Sequence, residues 1–284
     1  NSTELDFDIS ISPDKLYSSN AILIRLKDNE VLMEKNSDKI IYPASLTKMM
    51  TAIVAIENLP NLNEKIKLTP SMFKGLYEAH ASMAGFQPDE EIKAIDLLYG
   101  AMLPSGAESC IALAVHIAGS EENFVKLMNQ KAEELGMKNT HFENTTGLHN
   151  DNHYTTVKDL SALLIYALKN DTFKEIFTTF IYSIPPTNKH SEGITLYSTL
   201  YRRLCELSDK NIIDGKILGG KTGYTEEAGL CLASLAKVGD EEYILITTGA
   251  EGNTRTEQYN VIDALDVYNR IGLKLFRHEN SLTF

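Results

Sequence analysis

A serine three residues before a lysine on one helical turn is a device for acyl transfer, because the amine can take the hydroxyl proton as the oxygen attacks. The chain carries four such Ser-x-x-Lys pairs: Ser12/Lys15, Ser45/Lys48, Ser71/Lys74 and Ser234/Lys237. Ser234 and Lys237 fall in a stretch that reads as a strand, where residues three apart point to opposite faces. Ser12/Lys15 lies beside Pro13, outside any apolar element. Ser71/Lys74 follows Thr69-Pro70 and is cut off by Gly75, which reads as a short helix start capped by Thr69. Ser45/Lys48 opens a long apolar-faced helix, where the backbone N–H groups are unpaired and the helix dipole favours negative charge. A plainer reading stands beside it: Ser45 satisfies a helix start and Lys48 is a solvated charge.

Three other groupings bear on chemistry. Lys221-Thr222-Gly223 sits at the end of a predicted strand. A strand-borne lysine and threonine facing a cleft can hold a carboxylate by charge and hydroxyl, and the glycine leaves room for substrate along the strand edge. Leu103-Pro104-Ser105-Gly106 places a second serine before a helix, with a capping box of Ser105 and Glu108 as the structural alternative. His149 and His153 have the spacing of a helical metal pair. Their Asn- and Asp-rich surroundings read as loop, and no metal or other cofactor is expected.

The elements that must position these residues follow from periodicity. Residues 20–25 and 31–33 read as strands around a turn, and 44–58 as a helix with apolar positions at i, i+3 and i+4. Residues 69–180 are mostly helical, with a loop at 139–155 rich in His, Asn and Gly. Residues 217–224, 230–238 and 243–248 read as strands, and 256–276 as an amphipathic closing helix. This order predicts an α+β fold: an antiparallel sheet flanked by helices, with an inserted all-helical subdomain. The expected division is one domain over 1–284, with an α/β subdomain at about 1–65 and 195–284 and a helical subdomain at about 66–194.

With 284 residues the chain can bury a sizeable core without disulfides or metals. A net charge of −12 argues against nucleic acid and polybasic membrane contacts, and an anionic substrate would need a local positive site. Cys110, Cys205 and Cys231 are an odd set in mostly apolar neighbourhoods, which reads as free thiols. No apolar run approaches a membrane span, and no signal peptide is visible. Composition leaves open a cytosolic chain or a trimmed ectodomain.

Taken in order, Ser45-x-x-Lys48, Ser105-Gly106-Ala107 and Lys221-Thr222-Gly223 resemble the three-part signature of penicillin-binding proteins and class A β-lactamases. Residues 43–51, Asp96-Leu97-Leu98-Tyr99-Gly100, Thr145-Thr146-Gly147-Leu148, His153-Tyr154-Thr155-Thr156 and Gly220 to Thr225 extend the likeness to the serine-type D-Ala-D-Ala carboxypeptidases. The resemblance runs from about residue 20 to the C-terminal helix. It implies a β-lactamase/transpeptidase-like fold and an acyl-enzyme on Ser45, with Lys48 as base and Ser105 as proton relay. It also implies an oxyanion hole from the backbone N–H groups of Ser45 and Tyr224. Lys221, Thr222 and Gly223 would bind the substrate carboxylate, with Arg255 as the arginine that assists.

The implied partners are a peptidoglycan stem peptide ending in D-Ala-D-Ala and β-lactams as covalent inhibitors. The implied location is the cell-wall side of a bacterial membrane, with any anchor outside this chain. One departure stands out: Ala107 occupies the place where the family usually carries asparagine. This keeps open a weak or inactive penicillin-binding relative that binds peptidoglycan. A β-lactamase is the other alternative, although the Glu-x-x-Leu-Asn string that usually drives fast deacylation there does not occur.

Overall fold

The computed structural model describes residues 9–282; the expected domain limits at 1 and 284 lie outside them. Along the chain come β1 (Asn20–Arg25), β2 (Glu30–Lys35), a 3-10 turn (Ala44–Leu46) and α1 (Thr47–Asn58). Then follow β3 (Lys65–Lys67), β4 (Glu91–Lys93), α2 (Ala94–Met102), α3 (Ala107–Ala118), α4 (Glu121–Glu134), α5 (Val157–Leu168) and α6 (Asp171–Phe177). The last part holds β5 (Ile181–Ile184), β6 (Ile194–Tyr197), α7 (Thr199–Glu206), β7 (Gly215–Thr225), β8 (Gly229–Val238), β9 (Glu241–Ala250) and α8 (Tyr259–Ser281).

Five strands form one antiparallel sheet in the order β2-β1-β9-β8-β7. Side chains alternate across it, as the strand period demands. Ile22, Ile24, Ala233, Leu235, Ile244 and Ile246 face one side and join the large core with α1 and the helical insert. Ala21, Leu23, Leu232, Ala236, Tyr243 and Leu245 face the other and pack on Val261, Ala264, Val267 and Ile271 of α8. The result is three layers, with β7 left as an edge strand.

Two expectations need adjustment. The insert is not all helical: β3–β4 and β5–β6 are two short antiparallel ribbons. It shares its core with the sheet, where Met49 and Met50 of α1, Leu113 of α3, Phe124 of α4 and Ile22 of β1 form one apolar cluster. The long helix begins at Thr47 rather than Ala44, so Ser45 rides on the preceding 3-10 turn.

The serines of the other three Ser-x-x-Lys pairs have local partners. Ser234 points to the back of the sheet, where its Oγ lies 2.8 Å from the Tyr268 hydroxyl. Ser12 Oγ accepts the Asp14 N–H at 3.3 Å. Ser71 Oγ lies 3.0 Å from Thr69 Oγ1, and Thr69 makes no side-chain cap bond.

Docking of α8 depends on Gly272. A Cβ built there would stand 1.9 Å from the Ile213 carbonyl oxygen, with backbone rather than a flexible side chain in the way. Gly272→Ala is therefore expected to destabilise the fold by about 1–3 kcal/mol through overpacking. A lowered urea midpoint with unchanged m-value is the measurement that checks this.

Candidate active site

The residues singled out from the three motifs converge, although they come from distant parts of the chain. Ser45 sits on the 3-10 turn, and Lys48 one turn later places its Nζ 2.9 Å from Ser45 Oγ. The same amine donates to the Thr146 carbonyl at 2.7 Å. From the far side, Lys221 of β7 donates to Ser105 Oγ at 3.0 Å and to the Thr222 carbonyl at 2.7 Å. Ser45, Ser105, Thr222, Gly223 and Tyr224 all line one cleft of about 360 Å³.

The electrostatics follow from burial. Lys48 is 2% exposed and Lys221 fully buried, and among the described residues neither has a carboxylate within ion-pair distance. Removing an ammonium from water disfavours its charged form. Burial accordingly pulls Lys48 below the ordinary lysine range, opposed weakly by Cys110 and Glu108. Lys221 falls well below that range through burial and then the nearby charge of Lys48. Amines so placed give up a proton more readily than free lysines do.

Ala44 and Ser105 both hold left-handed backbone conformations, at φ of 47° and 64°. Non-glycine residues seldom adopt this region, and such positions cluster at functional sites. At Ser105 the conformation aims the hydroxyl at Lys221 instead of at the α3 backbone. The capping box is absent: α3 has no side-chain cap, and Glu108 accepts the Ala84 N–H at 2.7 Å. That contact pins the segment carrying Ser82 beside the cleft, with the Ala107 N–H bonding the Ser82 carbonyl at 2.8 Å.

The loop after α4 holds the turn that carries Ser45. Gly147, at φ 85°, fits directly against it; an added Cβ would lie 1.9 Å from the Ala44 carbonyl oxygen. Thr51 of α1 donates to the Thr145 carbonyl at 2.7 Å. His153 accepts the Glu143 N–H on Nδ1 at 2.9 Å, so its Nε2 carries the proton that faces Thr47 Oγ1 at 2.7 Å. His149 meets Asp151 at 2.9 Å. The two histidines thus serve different partners and do not converge.

Arg255 does not join the cleft lining. It is exposed, and its backbone N–H bonds Asn253. The arginines at the cleft are Arg202 and Arg203 of α7, with Thr199 and Glu206 beside them. Arg203 donates to the Thr254 carbonyl at 2.8 Å, and Thr199 Oγ1 lies 2.5 Å from Thr222 Oγ1. The sequence signal for α7 is short, a Ser198 cap with Leu200 and Leu204 four apart. The Thr146 carbonyl, a backbone atom, leaves no such mark.

Two outcomes test this arrangement. Gly147→Ala is expected to cost about 1–3 kcal/mol in urea unfolding, from overpacking and a forbidden φ. His153, pulled down to about 4 by burial, is neutral in the fold but titrates near 6.5 when unfolded. Its contribution is present above pH ~6.5 and lost as pH falls through about 4. Stability of His153→Gln should therefore fall by roughly 2–3 kcal/mol less than that of the native protein between pH 7 and 4.

Comparison with known proteins agrees with this geometry. A family model described as D-alanyl-D-alanine carboxypeptidase matches residues 8–252. The D-alanyl-D-alanine carboxypeptidase DacF of Bacillus subtilis is 37% identical over 238 residues, 82% of this chain and 57% of that protein. A D-alanyl-D-alanine endopeptidase of Escherichia coli is 30% identical over 245 residues, 85% of this chain and 74% of the relative. The chain thus spans little more than half the length of the Bacillus relative. The crystal structure of the Streptomyces K15 DD-transpeptidase superimposes with a TM-score of 0.80 at 26% identity, covering 92% of this chain and 98% of that one. Sheet order, the serine–lysine pairs and the extent of these matches converge on one assignment: the chain belongs to the D-alanyl-D-alanine carboxypeptidase family.

Proposed function

We propose that the protein is a serine D-Ala-D-Ala carboxypeptidase that removes the terminal D-alanine from peptidoglycan stem peptides through an acyl-enzyme on Ser45. The observation that carries this reading is the pairing of two buried lysines with two serines at one cleft, Lys48 with Ser45 and Lys221 with Ser105.

The mechanism follows from those pairs. Ser45 Oγ attacks the carbonyl between the two D-alanines, and its proton passes to Lys48 Nζ. The backbone N–H groups of Ser45 and Tyr224 receive the developing oxyanion, each worth about 3–4 kcal/mol in sites of this kind. Ser105, held by Lys221, relays a proton to the departing amine, so the C–N bond breaks with D-alanine neutralised at nitrogen. Water then hydrolyses the ester and frees Ser45.

Lys221 and Thr222 receive the terminal carboxylate, and Gly223 lets the peptide lie close to the β7 edge. Arg203 adds positive charge at the cleft, and Arg255 stands one residue past the lining residue Thr254. Ala107 does not leave Lys48 unsupported, since the Thr146 carbonyl accepts from its amine. The substrate lies outside the cytoplasm, so the proposed location is the cell-wall face of a bacterial membrane. Among the described residues no helix is long and apolar enough to cross that membrane. β-Lactams, which mimic the D-Ala-D-Ala end, would acylate Ser45 and leave slowly.

Intact-mass measurement after penicillin treatment tests the reading. The native protein should gain one penicilloyl adduct, and Ser45→Ala none. Lys48→Met should slow acylation by about 10²–10⁴, the usual contribution of a positioned base. D-alanine release from a peptide ending in D-Ala-D-Ala should vanish with Ser45→Ala. A folded native protein that neither takes up penicillin nor releases D-alanine would sink the proposal.

A further inference from the structure

Thr47 stands in sequence between Ser45 and Lys48, and it is fully buried. It is the junction where the 3-10 turn of Ala44–Leu46 becomes α1: its backbone N–H bonds the carbonyls of both Ala44 and Ser45. The junction matters for the chemistry. Side chains three residues apart eclipse on a 3-10 turn, whereas a regular α-helix sets them about 60° apart. With the turn wound as it is, Ser45 Oγ and Lys48 Nζ are 2.9 Å apart. The turn is also strained, since Ala44 holds a φ of 47°. Such a conformation persists only where the surroundings over-determine it.

One of those surroundings is a side chain. His153 is 2% exposed in the loop after α4, and its Nε2 lies 2.7 Å from Thr47 Oγ1. The ring is fixed independently of Thr47. Its Nδ1 accepts the Glu143 N–H at 2.9 Å, the His153 backbone N–H bonds the Asn150 carbonyl at 2.9 Å, and Phe142 meets the ring edge-on with centroids 5.5 Å apart. The Glu143 bond leaves the proton on Nε2, so the ring donates and the Thr47 hydroxyl oxygen accepts. A ring held from its own loop thus reaches a residue 106 positions earlier in the chain.

Resting on the acyl-enzyme reading above, we propose that His153 is a positioning residue for acylation: through the Thr47 hydroxyl it keeps the 3-10 turn wound so that Ser45 Oγ stays against the Lys48 amine. Neither His153 nor Thr47 lines the cleft. Their link therefore acts on the rate of bond formation and leaves ligand binding alone. Thr146 and Gly147 of the same loop brace Lys48 and Ala44 through main-chain contacts. The imidazole is the part of this brace that a substitution can cut or keep atom by atom.

The experiment compares substitutions of both kinds. His153→Asn retains an acceptor for the Glu143 N–H but stops short of Thr47, and His153→Gln reaches Thr47 with an N–H. Thr47→Val removes the hydroxyl at constant shape, and Thr47→Ser keeps it. Penicillin acylation is followed by quenched intact-mass measurement, which gives the rate at saturation and the half-saturating concentration. Urea midpoints establish that each variant is folded.

His153→Asn and Thr47→Val should each slow saturated acylation by about 10–10²-fold, the order expected when a reacting pair is misplaced. The half-saturating concentration should stay within about twofold of native. The double variant should be no slower than the slower single one, because both cut one link. His153→Gln and Thr47→Ser should keep the native rate within about threefold. Should His153→Asn fail to fold, the contrast between Thr47→Val and Thr47→Ser decides alone. A folded Thr47→Val at the native rate, losses that multiply in the double variant, or conservative variants as slow as the disruptive ones would each overturn the inference, with acylation of the native protein leaving the proposed function standing. A native protein that takes up no penicillin would overturn the proposed function and this inference together.

Discussion

Two lysine amines held out of water without a carboxylate partner are the constraint on which this molecule is built. A charged ammonium in such a place costs several kcal/mol unless it is paired, and the site offers carbonyls and hydroxyls instead of countercharge. The amine then gives up its proton more readily, which suits it to act as a base toward a neighbouring hydroxyl. The surrounding architecture serves this end. The sheet and α1 wall off water, the loop after α4 supplies an acceptor for one amine, and the turn before α3 supplies an acceptor for the other. Had either lysine been given an aspartate, it would have been stable, charged and inert as a base.

Backbone geometry does as much of the positioning as side chains do. The carbonyl of Thr146, the left-handed turns at Ala44 and Ser105, and the close fit of Gly147 under the nucleophile turn are all main-chain features. They explain how the site accommodates alanine at position 107. The amine of Lys48 is held by peptide oxygen, which any residue at 146 except one that disturbs the loop would provide.

This division also sets what could be read from the chain alone. The sheet and its flanking helices were legible because period-2 and period-3.6 apolar patterns survive in β1, β8, β9, α1 and α8. The grouping of Ser45, Lys48, Ser105, Lys221 and Thr222 was legible because side-chain identity and order mark the three motifs. Lost to view were features with no side-chain signature: the 3-10 start at Ala44, the Thr146 carbonyl, and the short ribbons β3–β4 and β5–β6, whose strands of three or four residues barely show a period. Arg255 lies exposed after β9, whereas tertiary packing brings Arg202 and Arg203 of α7 to the cleft lining. Glu108 read as a local cap because Ser-x-x-Glu is a local pattern; its real partners lie more than twenty residues earlier in the chain.

The contacts that support the serine–lysine pairs have a kinetic meaning. Lys48 and Thr146 are 98 residues apart, and Lys221 and Ser105 are 116 apart. Contacts of such separation carry a large loop-closure entropy and tend to form late in folding. Ser45 of the 3-10 turn and Lys48 of α1 are neighbours in sequence, but the groups that bury them come from β7 and the loop after α4. The buried surroundings of this pair are therefore complete only when contacts more than ninety residues apart along the chain have closed.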